Sequence, residues 1–216
     1  MSTHPGPVPV VVVDDEPMVC EFLRTILSAT GEITVVAAAH GGTAGIAAVR
    51  RHRPAVVLMD LRMPEPDGIS ATREISALPD PPVVVAMTTF DTDEHVLAAL
   101  DAGAHGFLLK TTPPDQLVPL VLAAATGASV LSPEALDRLR RHRSSEPPRR
   151  ADPELDALSE RERAVLALLA EGLSNADIAT RLYLSEGTVK GHVSRLMTRL
   201  RCANRTQLAL RADRPR

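Results

Sequence analysis

Short apolar runs and helical repeats alternate along the first 126 residues of the chain. The runs at 8–13, 33–38, 56–59, 83–87 and 106–109 are almost continuously hydrophobic, as strands buried on both faces are. Between them, 17–29, 43–51, 69–78, 93–102 and 114–126 carry the spacing of amphipathic helices. Pro17, just after an acidic turn, suits a first helical position. Five strand–helix units predict a flavodoxin-like, doubly wound, five-stranded parallel α/β sheet. Its site is expected at the carboxyl ends of the strands.

The pattern changes near residue 128. Ser132-Pro133-Glu134 looks like a helix start, and the stretch then turns Arg-rich and ends in Ser144-Ser145-Glu146-Pro147-Pro148. This composition predicts a partly helical linker over 128–153. Beyond it the chain reads as helix throughout. Ser159-Glu160-Arg161-Glu162 is a capping box opening a helix to about Glu171, which Gly172 stops. A second helix covers 175–182, and Ser185 caps a third over 186–200. There Val189, Val193, Leu196 and Leu200 fall on one face. A last short helix runs over 205–212. The chain therefore divides into an α/β domain at 1–127, a linker at 128–153 and an all-α helix-turn-helix domain at 154–216.

Two domains suit a chain of 216 residues. Hydrophobic residues make up 44% but aromatics only 2%, so the cores must be built from Val, Leu, Ile and Ala. The formal net charge of −3 hides an asymmetry. Residues 1–130 hold 7 Lys+Arg against 15 Asp+Glu, whereas 172–216 hold 9 against 3. An acidic front and a basic tail suggest a regulatory domain joined to a nucleic-acid binder. No signal-peptide pattern opens the chain and no apolar run is long enough to span a bilayer, so a cytoplasmic location is expected. Cys20 and Cys202 match no disulfide or metal pattern. The seven histidines form no ligand cluster, and Gly41-Gly42-Thr43-Ala44-Gly45 lacks the Lys-Ser/Thr ending of a phosphate loop.

Chemistry gathers at four predicted strand ends. Asp14-Asp15 follow the first strand, Asp60 the third, Thr88 the fourth and Lys110 the fifth. Adjacent aspartates before a helix can serve merely as caps. Asp60 is harder to explain that way, because a carboxylate ending a buried run needs a cation or donors nearby. Three acids, a hydroxyl and an ammonium at one sheet edge suit Mg²⁺ and a transferable phosphoryl group. Of 24 Lys+Arg only Lys110 and Lys190 are lysines, which points to a need for a compact charge at those two places.

With Met63-Pro64-Glu65-Pro66-Asp67-Gly68 following Asp60, residues 8–126 resemble the receiver domain of two-component response regulators. The resemblance implies that Asp60 is the phosphoacceptor and that Asp14, Asp15, Asp60 and the backbone carbonyl of Arg62 hold Mg²⁺. It also implies that Thr88 and Lys110 assist the transfer, and that Thr88 and Phe107 form the switch. The implied phosphodonor is a sensor histidine kinase. Thr111 departs from the pattern, where an acidic or amide residue is usual.

Residues 155–212 resemble the LuxR-type helix-turn-helix through Gly172-Leu173-Ser174-Asn175, Ile178-Ala179, Leu184-Ser185-Glu186-Gly187-Thr188-Val189-Lys190 and Asn204-Arg205-Thr206-Gln207. Both halves together resemble the NarL/FixJ branch. With the apolar positions of the third tail helix inward, Thr188, Lys190, Ser194 and Arg195 face a major groove. Gly191 departs from the pattern and offers no base contact. The resemblance further implies a homodimer on double-stranded promoter DNA, formed on phosphorylation through the last helix at Arg205, Leu208 and Arg211. RNA polymerase is the further partner expected of such a regulator.

Two other classes stay open at this level. One is an enzyme with a phosphoaspartate intermediate, of the haloacid-dehalogenase type. Its usual second acid, two residues after the nucleophile, is here Arg62. The other is a DNA binder whose first domain senses a ligand or partner without phosphorylation. The expectation is a regulator that is no enzyme beyond its own phosphorylation and slow dephosphorylation.

Overall fold

Val8–Val13 (β1), Ile33–Ala39 (β2), Val56–Asp60 (β3), Val83–Thr88 (β4) and Gly106–Leu109 (β5) form a parallel sheet. In the computed structural model the described residues are 6–89, 93–128, 130–131, 153–202 and 204–212. Five helices connect or follow the strands: Pro17–Ser28 (α1), Gly42–His52 (α2), Gly68–Ser76 (α3), Asp93–Asp101 (α4) and Pro114–Ala125 (α5). Helices α1 and α5 cover one face through Leu23, Leu27, Leu117 and Val121. Ile46, Val49, Ala71 and Ile75 of α2 and α3 cover the other, with α4 beside them over β4 and β5. The spatial order β2-β1-β3-β4-β5 reverses direction between β1 and β3. In such sheets that crevice, at the carboxyl ends, is where ligands bind.

A sixth strand departs from the five expected. Val130–Leu131 (β6) pairs in parallel with Gly106 and Phe107 of β5, within the stretch assigned by composition to the linker. It blunts an otherwise open edge, and a Cβ at Gly106 would run into its Val130 carbonyl at 2.5 Å. The predicted helix start at Ser132 lies outside the described residues.

The tail is helical, as expected: Pro153–Asp156 (α6), Glu160–Ala170 (α7), Asn175–Leu182 (α8), Glu186–Arg199 (α9) and Arg205–Ala212 (α10). The capping box at Ser159 and Glu162 is formed, and a second one joins Ser174 to Asp177. The Ser185 side chain accepts from the Thr188 N–H and caps α9. Val165, Leu169, Ile178, Val189, Val193, Leu196 and Leu208 make the core of this domain.

Helix α10 also docks on the α/β domain. Asn204 Nδ2 donates to the Leu100 carbonyl at 2.8 Å, and Gln207 Nε2 donates to the same carbonyl and to Asp101 Oδ1. The Thr206 hydroxyl donates to the His105 carbonyl. Leu210 joins an apolar cluster with Leu61, Val96, Leu100 and Phe107. Leu100 and Asp101 end α4, and the Leu100 carbonyl also accepts from the Gly103 N–H at 3.0 Å. Side chains of the tail therefore add donors to a carbonyl at the end of α4 that the helix closure already engages.

Candidate functional site

The ends of β1, β3, β4 and β5 bring the predicted residues together. Asp60 is the last residue of β3, and its side chain is only 3% exposed. Its Oδ1 accepts from the Arg62 N–H at 3.2 Å and its Oδ2 accepts from Lys110 Nζ at 3.1 Å. Asp14, equally buried, pairs with the same ammonium at 2.6 Å, while Asp15 is exposed. One carboxylate oxygen from each of the three acids lies within 4.8 Å of the others. Gly68 opens α3 directly against this site, where a Cβ would run into the Asp60 carbonyl.

Burial raises the pKa of Asp60, although the Arg62 N–H and Lys110 pull against it. For Lys110 burial acts downward, but the carboxylates of Asp14 and Asp60 outweigh it and the ammonium is held above its ordinary value. A carboxylate destabilised by burial favours a partner that spreads its charge, and a firmly protonated lysine is a fixed counter-charge. Thr88, the last residue of β4, is fully buried and its Oγ1 has no hydrogen-bond partner among the described residues. Such an orphan carries a desolvation penalty that a new acceptor would remove. Phe107 is buried next door, on β5.

Two supporting residues were not legible in the sequence. Cys20 Sγ lies 3.6 Å from the Asp14 carbonyl and His40 Nδ1 lies 3.4 Å from it. Burial, with Asp14 nearby, pushes the Cys20 thiol up to about 11, which suits an inert packing group. Neither has a spacing signal, because both act through a backbone oxygen.

In the tail, Thr188, Lys190, Ser194 and Arg195 are all exposed along α9, opposite the buried Val189, Val193 and Leu196. The docking of α10 on the α/β domain leaves this face open. The residues expected at a dimer contact make contacts within the chain here. Leu208 is fully buried in the domain core, and Arg205 is 5% exposed with Nη1 on Asn175 Oδ1. Arg211 reaches Glu154 at 2.8 Å and the Leu200 carbonyl. All three hold the helix-turn-helix domain together in this conformation.

Residues 10–122 match the response regulator receiver domain, and residues 156–212 match the bacterial regulatory proteins of the luxR family. The chain belongs to the response regulators. This response regulator is 37% identical over 211 residues to the uncharacterized transcriptional regulatory protein YxjL of Bacillus subtilis, covering 95% of this chain and 94% of that protein. It is 36% identical to the response regulator protein VraR of Staphylococcus aureus over 203 residues, with 94% and 95% covered. Among solved structures, the response regulator ChrA of a heme-sensing two-component system shares 39% identity, 96% coverage of both chains and a TM-score of 0.55. A structure of two RcsB dimers bound to two parallel DNAs aligns at 25% identity and a TM-score of 0.57, covering 94% of this chain and 96% of that one. The regulator thus combines a receiver with a LuxR-type DNA-binding domain and acts in transcriptional regulation.

Proposed function

We propose that Asp60 of this regulator accepts a phosphoryl group from the phosphohistidine of a sensor kinase, and that the modified receiver promotes dimerisation and promoter binding. The observation carrying this reading is the placement of Asp60, buried between the Arg62 N–H and Lys110, with Asp14 and Asp15 beside it. The hard oxygen set of Asp14, Asp15, Asp60 and the Arg62 carbonyl fits Mg²⁺. When bound, that ion supplies charge neutralisation for the phosphoryl oxygens.

An Asp60 carboxylate oxygen attacks phosphorus in line. The P–O bond forms as the P–N bond breaks, and the imidazole leaves with the electron pair. Lys110, already charged, pairs with a phosphoryl oxygen in place of Asp60 Oδ2. Thr88 Oγ1 then gains the acceptor it lacks and donates to a second phosphoryl oxygen. Movement of Thr88 makes room for Phe107, whose cluster includes Leu210 of α10. Phosphorylation therefore biases the α4–α10 seam toward opening. Opening would free Asn204, Thr206, Gln207 and Leu210 for a second copy, with Arg205, Leu208 and Arg211 bracing the helix from behind.

RcsB forms DNA-bound dimers, and a single helix-turn-helix here likewise suits paired half-sites. The DNA-reading residues are Thr188, Lys190, Ser194 and Arg195, and RNA polymerase is the downstream partner. The chain catalyses only its own phosphorylation and slow dephosphorylation.

The test is intact mass after incubation with a small acyl-phosphate donor, with and without Mg²⁺. A Mg²⁺-dependent gain of one phosphoryl group that Asp60→Ala loses is expected. A gain retained by Asp60→Ala would move the acceptor elsewhere.

A further inference from the structure

Tyr183 is the chain's one tyrosine, and its side chain is 95% exposed. It closes α8 in the left-handed conformation, with φ 54° and ψ 47°. The Leu184 N–H behind it donates to the Ala179 carbonyl at 2.9 Å, the closing bond of a Schellman motif. Glycine is the usual residue there, because a Cβ is disfavoured at positive φ. The chain follows that rule at three other helix ends and departs from it at two. The same six-residue closure ends α4, α5 and α7 with Gly103, Gly127 and Gly172 at the positive-φ position. The ends of α2 and α9 have Arg53 and Arg201 in the left-handed region, and water solvates the charged heads of these exposed arginines. At the end of α8 stands an aromatic ring in water, gaining nothing from burial and strained by its backbone. Strain kept at an exposed site points to contact with something outside the fold.

The location says what that contact is. Tyr183 lies between α8 and Ser185, the cap of the DNA-reading helix α9. In helix-turn-helix docking the second helix enters the major groove by its N-terminal residues while the first crosses the backbone. The turn between them therefore rides at the groove edge, over phosphates. The preceding carbonyl, that of Leu182, is pinned by Arg161 Nη2 at 2.9 Å, so the ring projects from a braced turn. Resting on the DNA-binding reading above, we infer that Tyr183 is a DNA-backbone contact whose hydroxyl donates to a phosphate oxygen at the edge of the groove read by α9. A tyrosine hydroxyl is among the side-chain donors that phosphates accept from.

A phosphate contact is independent of sequence, so the probe is a fluorescent mixed-sequence 30-base-pair duplex. Anisotropy titrations of the full chain at several salt concentrations compare wild type, Tyr183→Phe, Tyr183→Gly and Lys190→Ala. A hydrogen bond to a charged phosphate oxygen corresponds to a loss of roughly ten- to hundredfold in affinity for Tyr183→Phe. Tyr183→Gly is expected to lose at least as much without lowering the thermal midpoint, because glycine suits the positive φ. Neither substitution removes a charge, so both should keep the wild-type salt slope, whereas Lys190→Ala flattens it. Wild-type affinity in Tyr183→Phe overturns the hydroxyl contact. A Tyr183→Gly protein that melts earlier and binds normally would make the tyrosine structural instead. A wild-type chain that fails to bind the duplex even after phosphorylation by a small acyl-phosphate donor with Mg²⁺ would sink the DNA-binding reading itself, and this inference with it.

Discussion

At the scale of single residues, Lys110 and Lys190 show how much a residue type can reveal. Among 24 basic residues these two alone are lysines, and they sit where a compact charge is useful: against Asp14 and Asp60, and on the exposed face of α9. Lys190→Ala should weaken DNA binding for all sequences and reduce the salt slope by about one. A slope unchanged across a salt titration would remove Lys190 from the interface. Thr88→Ala should still gain a phosphoryl group by mass, yet α10 should keep its slow hydrogen exchange after phosphorylation. Faster exchange in that variant would exclude Thr88 as the relay. The acids, the hydroxyl and the lysine were legible because each is a polar type at the end of an apolar run. Cys20 and His40 were not, since their partner is a carbonyl that every residue possesses.

At the scale of elements, periodicity located the five strands and five helices of the receiver to within two or three residues, and caps and periodicity together located α7 to α10, while the one-turn α6 was not expected. The strand Val130–Leu131 escaped, because two residues are too few to carry an alternation and its pairing depends on a distant edge. The capping box of α7 allows a sharp check. The Ser159 backbone N–H, then its side chain, holds the Glu162 carboxyl below the ordinary carboxylate range. A depressed acid contributes stability that is whole above its unfolded value near 4.5 and lost as pH falls through the folded value. Ser159→Ala should lower stability by about 1 kcal/mol at neutral pH and shrink the loss on acidification. Thermal melts at pH 7 and pH 3.5 measure both. An acid limb as steep as wild type would assign that loss to other groups.

At the scale of the whole molecule, the seam between α4 and α10 was invisible in the sequence. Asn204 and Leu100 are 104 positions apart, and an amide meeting a carbonyl leaves no pattern in either segment. Gln207→Ala removes two of the seam's hydrogen bonds. At about 0.5–1.5 kcal/mol each, exchange of amides near the α4 end should quicken by roughly tenfold or more. No change would show that the apolar contact of Leu210 dominates. His105 adds a pH dependence. Burial, with the Arg205 charge adding to it, lowers the imidazole pKa, and its Nδ1 has no partner among the described residues. The folded state resists protonation, so stability is full above the unfolded value near 6.5 and declines as pH falls through the depressed folded one. Melts of His105→Gln should lose part of the decline between pH 7 and pH 5.5. An identical decline would assign it to the other histidines.

On the receiver side, three of the seam's acceptor contacts fall on main-chain oxygens of Leu100 and His105. Main-chain oxygens survive every substitution that preserves the fold. Receiver sequences can therefore drift, or be exchanged between paralogues, without losing the ability to hold this tail. A chimera carrying a foreign receiver should start in the same docked state, and its signal specificity should change while its mode of restraint does not. Rapid exchange along α10 in such a chimera would show that side chains, after all, decide the fit.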